Sequence, residues 1–333
     1  MKVKTKVALF QHLWACPVHL SFLPMQEAYK QVYNWQYVHC IDFWALVLAR
    51  ACASQTGPES GESDLKPLIY PLVQVSLGAI KYALLQSLPF FSFFLADRKP
   101  PWCRLISNTR SYPFHLQIIR SLLHLSRHTS TYIPIPPYLL PILTSPLASS
   151  SRPKSSALRP LDLEVHIRAP QQYVKTRVYT ENLVEEAVYL LAEWLASGAV
   201  HGSVAFPEVV VPVTVVLRKA IKSSSKGSSS GIGKEVGIVK GLVERIEESA
   251  RWVEQKRKTV TFAPGKTAAV EAWELEIRGE IGDSPLGKYI KVQRKTREKR
   301  RKLIDKVRST MDASFYRLIV IYFLLLIGMS DLG

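Results

Sequence analysis

QQYVKTRVYTENLVEEAVYLLAEWL, residues 171–195, is the stretch from which the fold class can be read. Tyr179, Leu183, Ala187, Leu190, Leu191 and Trp194 recur at steps of three and four, which is the period of one helix face. The spacing predicts a helix from about Tyr173 to Ser197, with Gly198 as its stop. The same period returns on both sides of it. Upstream, Glu27 to Ala53 carries Tyr33, Tyr37, Ile41, Trp44, Leu48 and Cys52 on one aromatic-rich face. After a polar loop at 57–64, Pro67 opens a second helix with Leu68, Val73, Leu77 and Ile80, and Pro71 is tolerable in its first turns. Phe114 to His128 turns Leu116, Ile119, Leu122 and Leu123 inward and Arg120, His124 and Arg127 to the opposite side. Downstream, Pro207 starts a helix that runs to about Lys222. Val236, Val239, Val243, Ile246, Ala250 and Val253 form another stripe, Ala268 to Glu280 is shorter, and Ser284-Pro285 introduces a last, basic helix. Between these lie a proline-rich passage, Ile133 to Pro146, and the alternation Leu161, Leu163, Val165, Ile167, which reads as a short extended segment.

Eight or so helices with hardly any strand signal predict an all-α fold. Their succession in short pairs predicts an irregular solenoid of the HEAT or armadillo type, although no repeat of fixed period is present. Of the 333 residues 47% are apolar and 21% charged, so a core can form and wholesale disorder is excluded. The organisation expected is an atypical N-terminal segment at 1–25 and a first helical part at 26–148. A Ser/Pro linker at 149–160 leads to a second helical part at 161–283, which carries a flexible Ser/Gly loop at 222–233. The basic helix at 284–308 and an apolar tail at 309–333 follow. The apolar runs near the N-terminus, at Tyr82 to Ala96 and at Leu318 to Met329 are broken or fall short of the ~20 residues of a membrane helix. The first of them makes a poor signal peptide, and no membrane partner is expected.

Charge gives the functional direction. Forty-four Lys and Arg against 27 Asp and Glu leave a net charge of +17, which favours a polyanionic partner, nucleic acid before an anionic membrane surface. Between Lys288 and Arg308 eleven cations face only Glu298 and Asp305, a local net of +9. A helix with cations almost all round cannot bury itself, so it is either solvated, as a nuclear-import signal would be, or docked on a polyanion such as RNA. A membrane-surface helix needs an apolar face, and this one has no clean one. The candidate RNA contacts are Arg294, Lys295, Arg297, Lys299, Arg300, Arg301 and Lys302, followed by Arg120 and Arg127.

Other chemistry finds little support. GSSSGIGKE, residues 227–235, has Ser228 where a phosphate loop needs its first glycine and Glu235 where it needs a hydroxyl. The dinucleotide pattern fails at Val236. His124 and His128 are spaced like two ligands on one helix, but no third ligand is apparent, and no metal or cofactor is expected. Cys16, Cys40, Cys52 and Cys103 form no paired motif and read as free thiols. Glu185 and Glu186 are adjacent and point in different directions. With no convergent set of titratable groups, an enzyme is not expected.

Six ordered blocks carry a resemblance. They are QVYNWQYVHCIDFWALVLA at 31–49, LKPLIYPLVQVSLGAIK at 65–81 and SYPFHLQIIRSLLHLSRHTSTYIPIPPYLL at 111–140, then the opening stretch at 171–195, FPEVVVPVTVVLRKAIK at 206–222 and SPLGKYIKVQRKTREKRRKL at 284–303. Together they resemble the nucleolar complex protein 2 family of large-ribosomal-subunit assembly factors. The resemblance implies a non-catalytic helical-repeat scaffold that pairs in turn with nucleolar complex proteins 1 and 3 as pre-ribosomes move from nucleolus to nucleoplasm. It also implies a longer protein with further N-terminal helices and an acidic tail, so 1–25 and 309–333 depart from it. Joining Lys81 directly to Leu105 fits the family better, which marks 82–104 as an expected insertion. The alternative is a protein-only nuclear adaptor, a chromatin or histone binder, whose basic helix serves only for import. The outer side of the Tyr33 to Trp44 helix is a candidate partner face, against the simpler reading of its aromatics as core.

Overall fold

The computed structural model describes residues 31–53, 63–85, 109–148, 158–174, 176–226, 234–258, 260 and 265–306. These residues are helical with turns between, and no β-strand is present among them. Helix α1 spans Trp35–Ala51, where the Asn34 side chain accepts the Tyr37 backbone N–H at 2.8 Å and so meets one of the four unpaired donors of a helix start. A 3-10 turn at Lys66–Leu68, with proline in its first turn, leads into α2, Ile69–Leu85. Helix α3, Tyr112–Thr129, ends at Ser130, which takes the left-handed conformation with φ 52°. Then come α4, Pro136–Ala148, α5, Arg177–Leu195, the single turn α6, Gly198–His201, and α7, Phe206–Lys226. Helices α8, Lys234–Arg257, α9, Thr267–Glu280, and α10, residues 285–306, complete the order.

The buried apolar residues form one connected core. Helix α1 lies along α3 and α2 packs on both. Helix α5 meets α3, α4 and α8, while α7 packs on α4 and α8. From Leu183 to Leu195 all but two residues of α5 are buried, so burial continues round the helix and takes in Glu186 and Glu193. Two large buried side chains satisfy their polar tips across the fold. The Trp194 indole N–H donates to the Ile133 carbonyl at 2.7 Å, and the Tyr179 hydroxyl donates to the Thr109 carbonyl at 2.6 Å.

Three sequence expectations change. The proline-rich passage is a helix: Pro136 and Pro137 occupy a first turn, where a missing N–H costs nothing, and Pro141 and Pro146 are carried by the burial of Leu139, Ile142, Leu143 and Leu147. The Leu161–Ile167 alternation is a turn. Leu161 and Leu163 are buried, Val165 is exposed, and the Gln117 side chain donates to the Leu163 and Glu164 carbonyls where a neighbouring strand would. The Ser/Gly loop begins later than expected, because α7 continues through Lys222 to Lys226. The expected segments 1–25, 149–157, 227–233 and 309–333, and all but the first four residues of 82–104, lie outside the described residues.

Candidate nucleic-acid interface

Helix α10 begins where two backbone amides find hydroxyls. The Leu286 N–H donates to Ser249 Oγ of α8 at 2.9 Å, and the Gly287 N–H to Ser284 Oγ at 3.0 Å. A Cβ on Gly287 would lie 1.9 Å from the Ile281 carbonyl oxygen, so this corner admits only glycine. Leu286 and Ile290 then enter the core.

Beyond them the helix is held to α5 by charge. Arg294 forms a bidentate pair with Glu193, Nε to Oε1 at 2.6 Å and Nη2 to Oε2 at 2.5 Å. Arg297 donates to Glu186 Oε2 at 2.5 Å and to the Glu185 carbonyl at 3.2 Å, and its guanidinium lies 3.8 Å from the centre of the Tyr189 ring. Arg300 reaches Glu185 at 3.6 Å. From the other side, α3 presents Arg120 to Glu186 at 2.9 Å and Arg127 to Glu193 at 3.9 Å. Each buried carboxylate therefore sits between one arginine of α3 and one of α10. The pairs run in the same order on α3 and α5 and in reverse order on α10, so α10 runs antiparallel to α5.

Burial pushes the Glu186 carboxyl up, but the charges and hydrogen bonds of Arg120 and Arg297 outweigh it and hold the group below the usual carboxylate range. The balance falls the same way at Glu193: burial raises it, while hydrogen bonds from Arg294 and Tyr189 and the charges of Arg294 and Arg127 lower it further. Both carboxylates are ionised at neutral pH, as a paired buried acid must be.

The candidate contacts thus divide. Arg120, Arg127, Arg294, Arg297 and Arg300 are engaged on α5, which corrects the expectation of a helix that is solvated all round. Lys295, Lys299, Arg301 and Lys302 are exposed, and Lys302 pairs with Glu298 at 2.6 Å. Sequence reasoning named Glu186 only to set it aside beside Glu185, and passed over Glu193 and Tyr189. The signal was available: Glu186 and Glu193 are seven residues apart, as are Arg120 and Arg127, so each pair projects from one helix face two turns apart.

Beside this seam, a groove of about 390 Å³ between α5, α8 and α10 is bordered by Glu185, Tyr189, Gly237, Tyr289, Arg297 and Arg300. The His124 and His128 rings lie 4.4 Å apart, and no three His, Cys, Asp or Glu side chains converge as metal ligands among the described residues. Among those residues no helix is long and apolar enough to cross a membrane.

Fold and site define an all-helical protein whose most basic element is fixed to the body along one side and open to solvent on the other. The chain belongs to the Noc2p family, whose model matches residues 11–95 and 101–293 and so ends within α10. A NOC2 family protein of Schizosaccharomyces pombe is 35% identical over 84% of this chain and 35% of its own length. Nucleolar complex protein 2 of Drosophila melanogaster is 26% identical over 88% of this chain and 34% of its own, and nucleolar complex-associated protein 2 of Arabidopsis thaliana 28% identical over 83% and 30%. The chain spans about a third of the length of these curated relatives.

Proposed function

We propose that the chain is a non-catalytic scaffold of the nucleolus and nucleoplasm in ribosome biogenesis. It holds partner assembly factors and pre-rRNA on the maturing large subunit and accompanies the particle as it moves. The partners are nucleolar complex proteins 1 and 3, each bound in a separate heterodimer, and the body that holds them is an irregular HEAT- or armadillo-like array of helix pairs. Family membership and the names of the fly and plant relatives support the nucleolar setting. The observation that carries the reading is α10, a strongly cationic helix that the body fixes in place while leaving cations in solvent. Positioning of this kind requires no bond to be made or broken.

Gradient sedimentation of the tagged chain from nuclear extract tests it. Migration with large particles, collapsing to a small heterodimer after ribonuclease, is the expected result; slow migration that ribonuclease leaves unchanged refutes it.

The pairing of five candidate arginines with carboxylates of the chain itself favours a second reading, a protein-only adaptor whose remaining cations serve import. Deleting 288–308 would not separate the two, because it strips Glu186 and Glu193 of partners. Neutralising the exposed lysines and restoring import with an unrelated signal does: the adaptor keeps its function and the scaffold loses it.

A further inference from the structure

Helix α10 sorts its cations by type. With 3.6 residues per turn, Lys288, Lys291, Lys295, Lys299, Lys302 and Lys306 fall within an arc of about 80°. Arg294 and Arg297, together with the buried Leu286 and Ile290, centre about 150° away by the same geometry. All six lysines are exposed. Lys291 leans back to donate to the Gly282 carbonyl at 2.9 Å and Lys302 pairs with Glu298, whereas Lys288, Lys295 and Lys299 hold no ion pair among the described residues. The file is about 27 Å long at 1.5 Å per residue, and no apolar residue interrupts it.

The sorting follows side-chain chemistry. Guanidinium is planar and weakly hydrated, and it matches a carboxylate with two parallel donors, which suits the buried pairs on α5. Ammonium is a compact, strongly hydrated point charge on a flexible stem, which suits contact with a phosphate whose position is not fixed in advance.

We infer that the lysine file is a docking surface for the phosphate backbone of RNA, and that Arg294 and Arg297 are positioning residues that set the roll of the helix so that the file faces outward. This rests on the reading of the chain as an RNA-contacting scaffold. The surface reads charge and not sequence, since nothing along the file offers a base an aromatic face or a fixed pair of donors. An anionic membrane is the weaker occupant, because a helix lying in a lipid surface carries a continuous apolar face, whereas the exposed apolar residues beside the file, Val292 and Leu303, stand three turns apart.

The test uses the full chain, a short fluorescent single-stranded uridine oligomer, and vesicles of phosphatidylcholine with phosphatidylserine. Two variants are compared with the native chain: the quadruple change Lys288→Gln, Lys295→Gln, Lys299→Gln, Lys302→Gln, and the double change Arg294→Gln, Arg297→Gln. Each phosphate contact on a single strand contributes about 0.7 to the slope of log affinity against log salt, so losing four lysines makes that slope less negative by about 3. The unfolding midpoint of the lysine variant stays at the native value. The arginine variant shows a lowered midpoint and, at a temperature where it is folded, a slope within about one of the native chain. A native slope in the lysine variant, or a loss of slope confined to the arginine variant, overturns the assignment of the file but leaves RNA contact standing. Absence of oligomer binding by the native chain overturns both. Binding to vesicles but not to the oligomer, abolished by the lysine changes, also overturns the inference and gives the file to a membrane.

Discussion

The seam between α1 and α3 and the seam between α5 and α10 join helices by opposite means. Between α1 and α3 the buried side chains include Tyr37, Ile41, Ala45 and Leu48 on one helix and Phe114, Ile118 and Leu125 on the face of the other that carries Ser121, whose hydroxyl donates to Asp42 at 2.9 Å. Between α5 and α10 the contacts are Arg294 and Arg297 on Glu193 and Glu186, backed by Arg120 and Arg127. Burying an apolar side chain is worth about 1.5–3 kcal/mol and depends little on direction. A buried ion pair comes close to break-even against an apolar pair of similar volume, but it demands one orientation of both partners. The first seam supplies stability, and the second fixes how α10 is turned.

The contrast can be broken in order of expected size. Phe114, fully buried on α3 with its ring 4.7 Å from that of Tyr33, should cost about 3–5 kcal/mol on Phe114→Ala, read from urea unfolding. In the charged seam Glu193→Leu strands Arg294, whose side chain is 41% exposed and partly screened, so a loss of about 2 kcal/mol is expected. Adding Arg294→Leu should bring stability back to within about 1 kcal/mol of native, with the salt slope of RNA binding within about one of the native value because Arg297 on Glu186 still sets the roll of α10. If the double variant is no more stable than the single one, the pair is a net source of stability and the contrast fails.

Acid sharpens the comparison further. Burial pushes His115 down to about 3 and His201 to about 4, and their unpaired ring nitrogens sit against Tyr112 and Phe114 and against Phe206 and Trp252. Because these values lie below that of free imidazole, the unfolded chain takes up protons first; stability is whole above about pH 6.5 and falls as the pH drops toward 4. The slope is about 1.4 kcal/mol per pH unit for each histidine, and His201→Leu should remove one such contribution from denaturant midpoints measured between pH 6.5 and 4.5. The depressed Glu186 and Glu193 act lower: their contribution is present above the ordinary carboxylate range and is lost as the pH falls through their folded values. Smallest of all, Lys299→Gln should leave the midpoint where it is while Arg297→Gln lowers it.

Helix periodicity was enough to place α5 within a few residues of its bounds, because its apolar period is unbroken and Thr176 and the Ala196–Gly198 turn punctuate it. It failed at Pro136–Ala148, where burial of Leu139, Ile142 and Leu143 overrides the local preference of proline. It also failed at Leu161–Ile167, where alternation serves a turn whose carbonyls are met by Gln117. At the site, the excess of cations in α10 was legible from counting, but their division was not. That division depends on Glu186 and Glu193, which are more than a hundred residues away in the chain, and no local pattern on α10 points to them.

That separation has a consequence in time. Synthesis runs from the N-terminus at about 5–20 residues per second, so α10 leaves the ribosome roughly 5–20 s after α5. Arg120 and Arg127 come from α3, which is made before either carboxylate. A nascent chain can therefore close α5 onto α3 with both acids already neutralised, and wait for α10 without holding either of these charges unmatched in its interior.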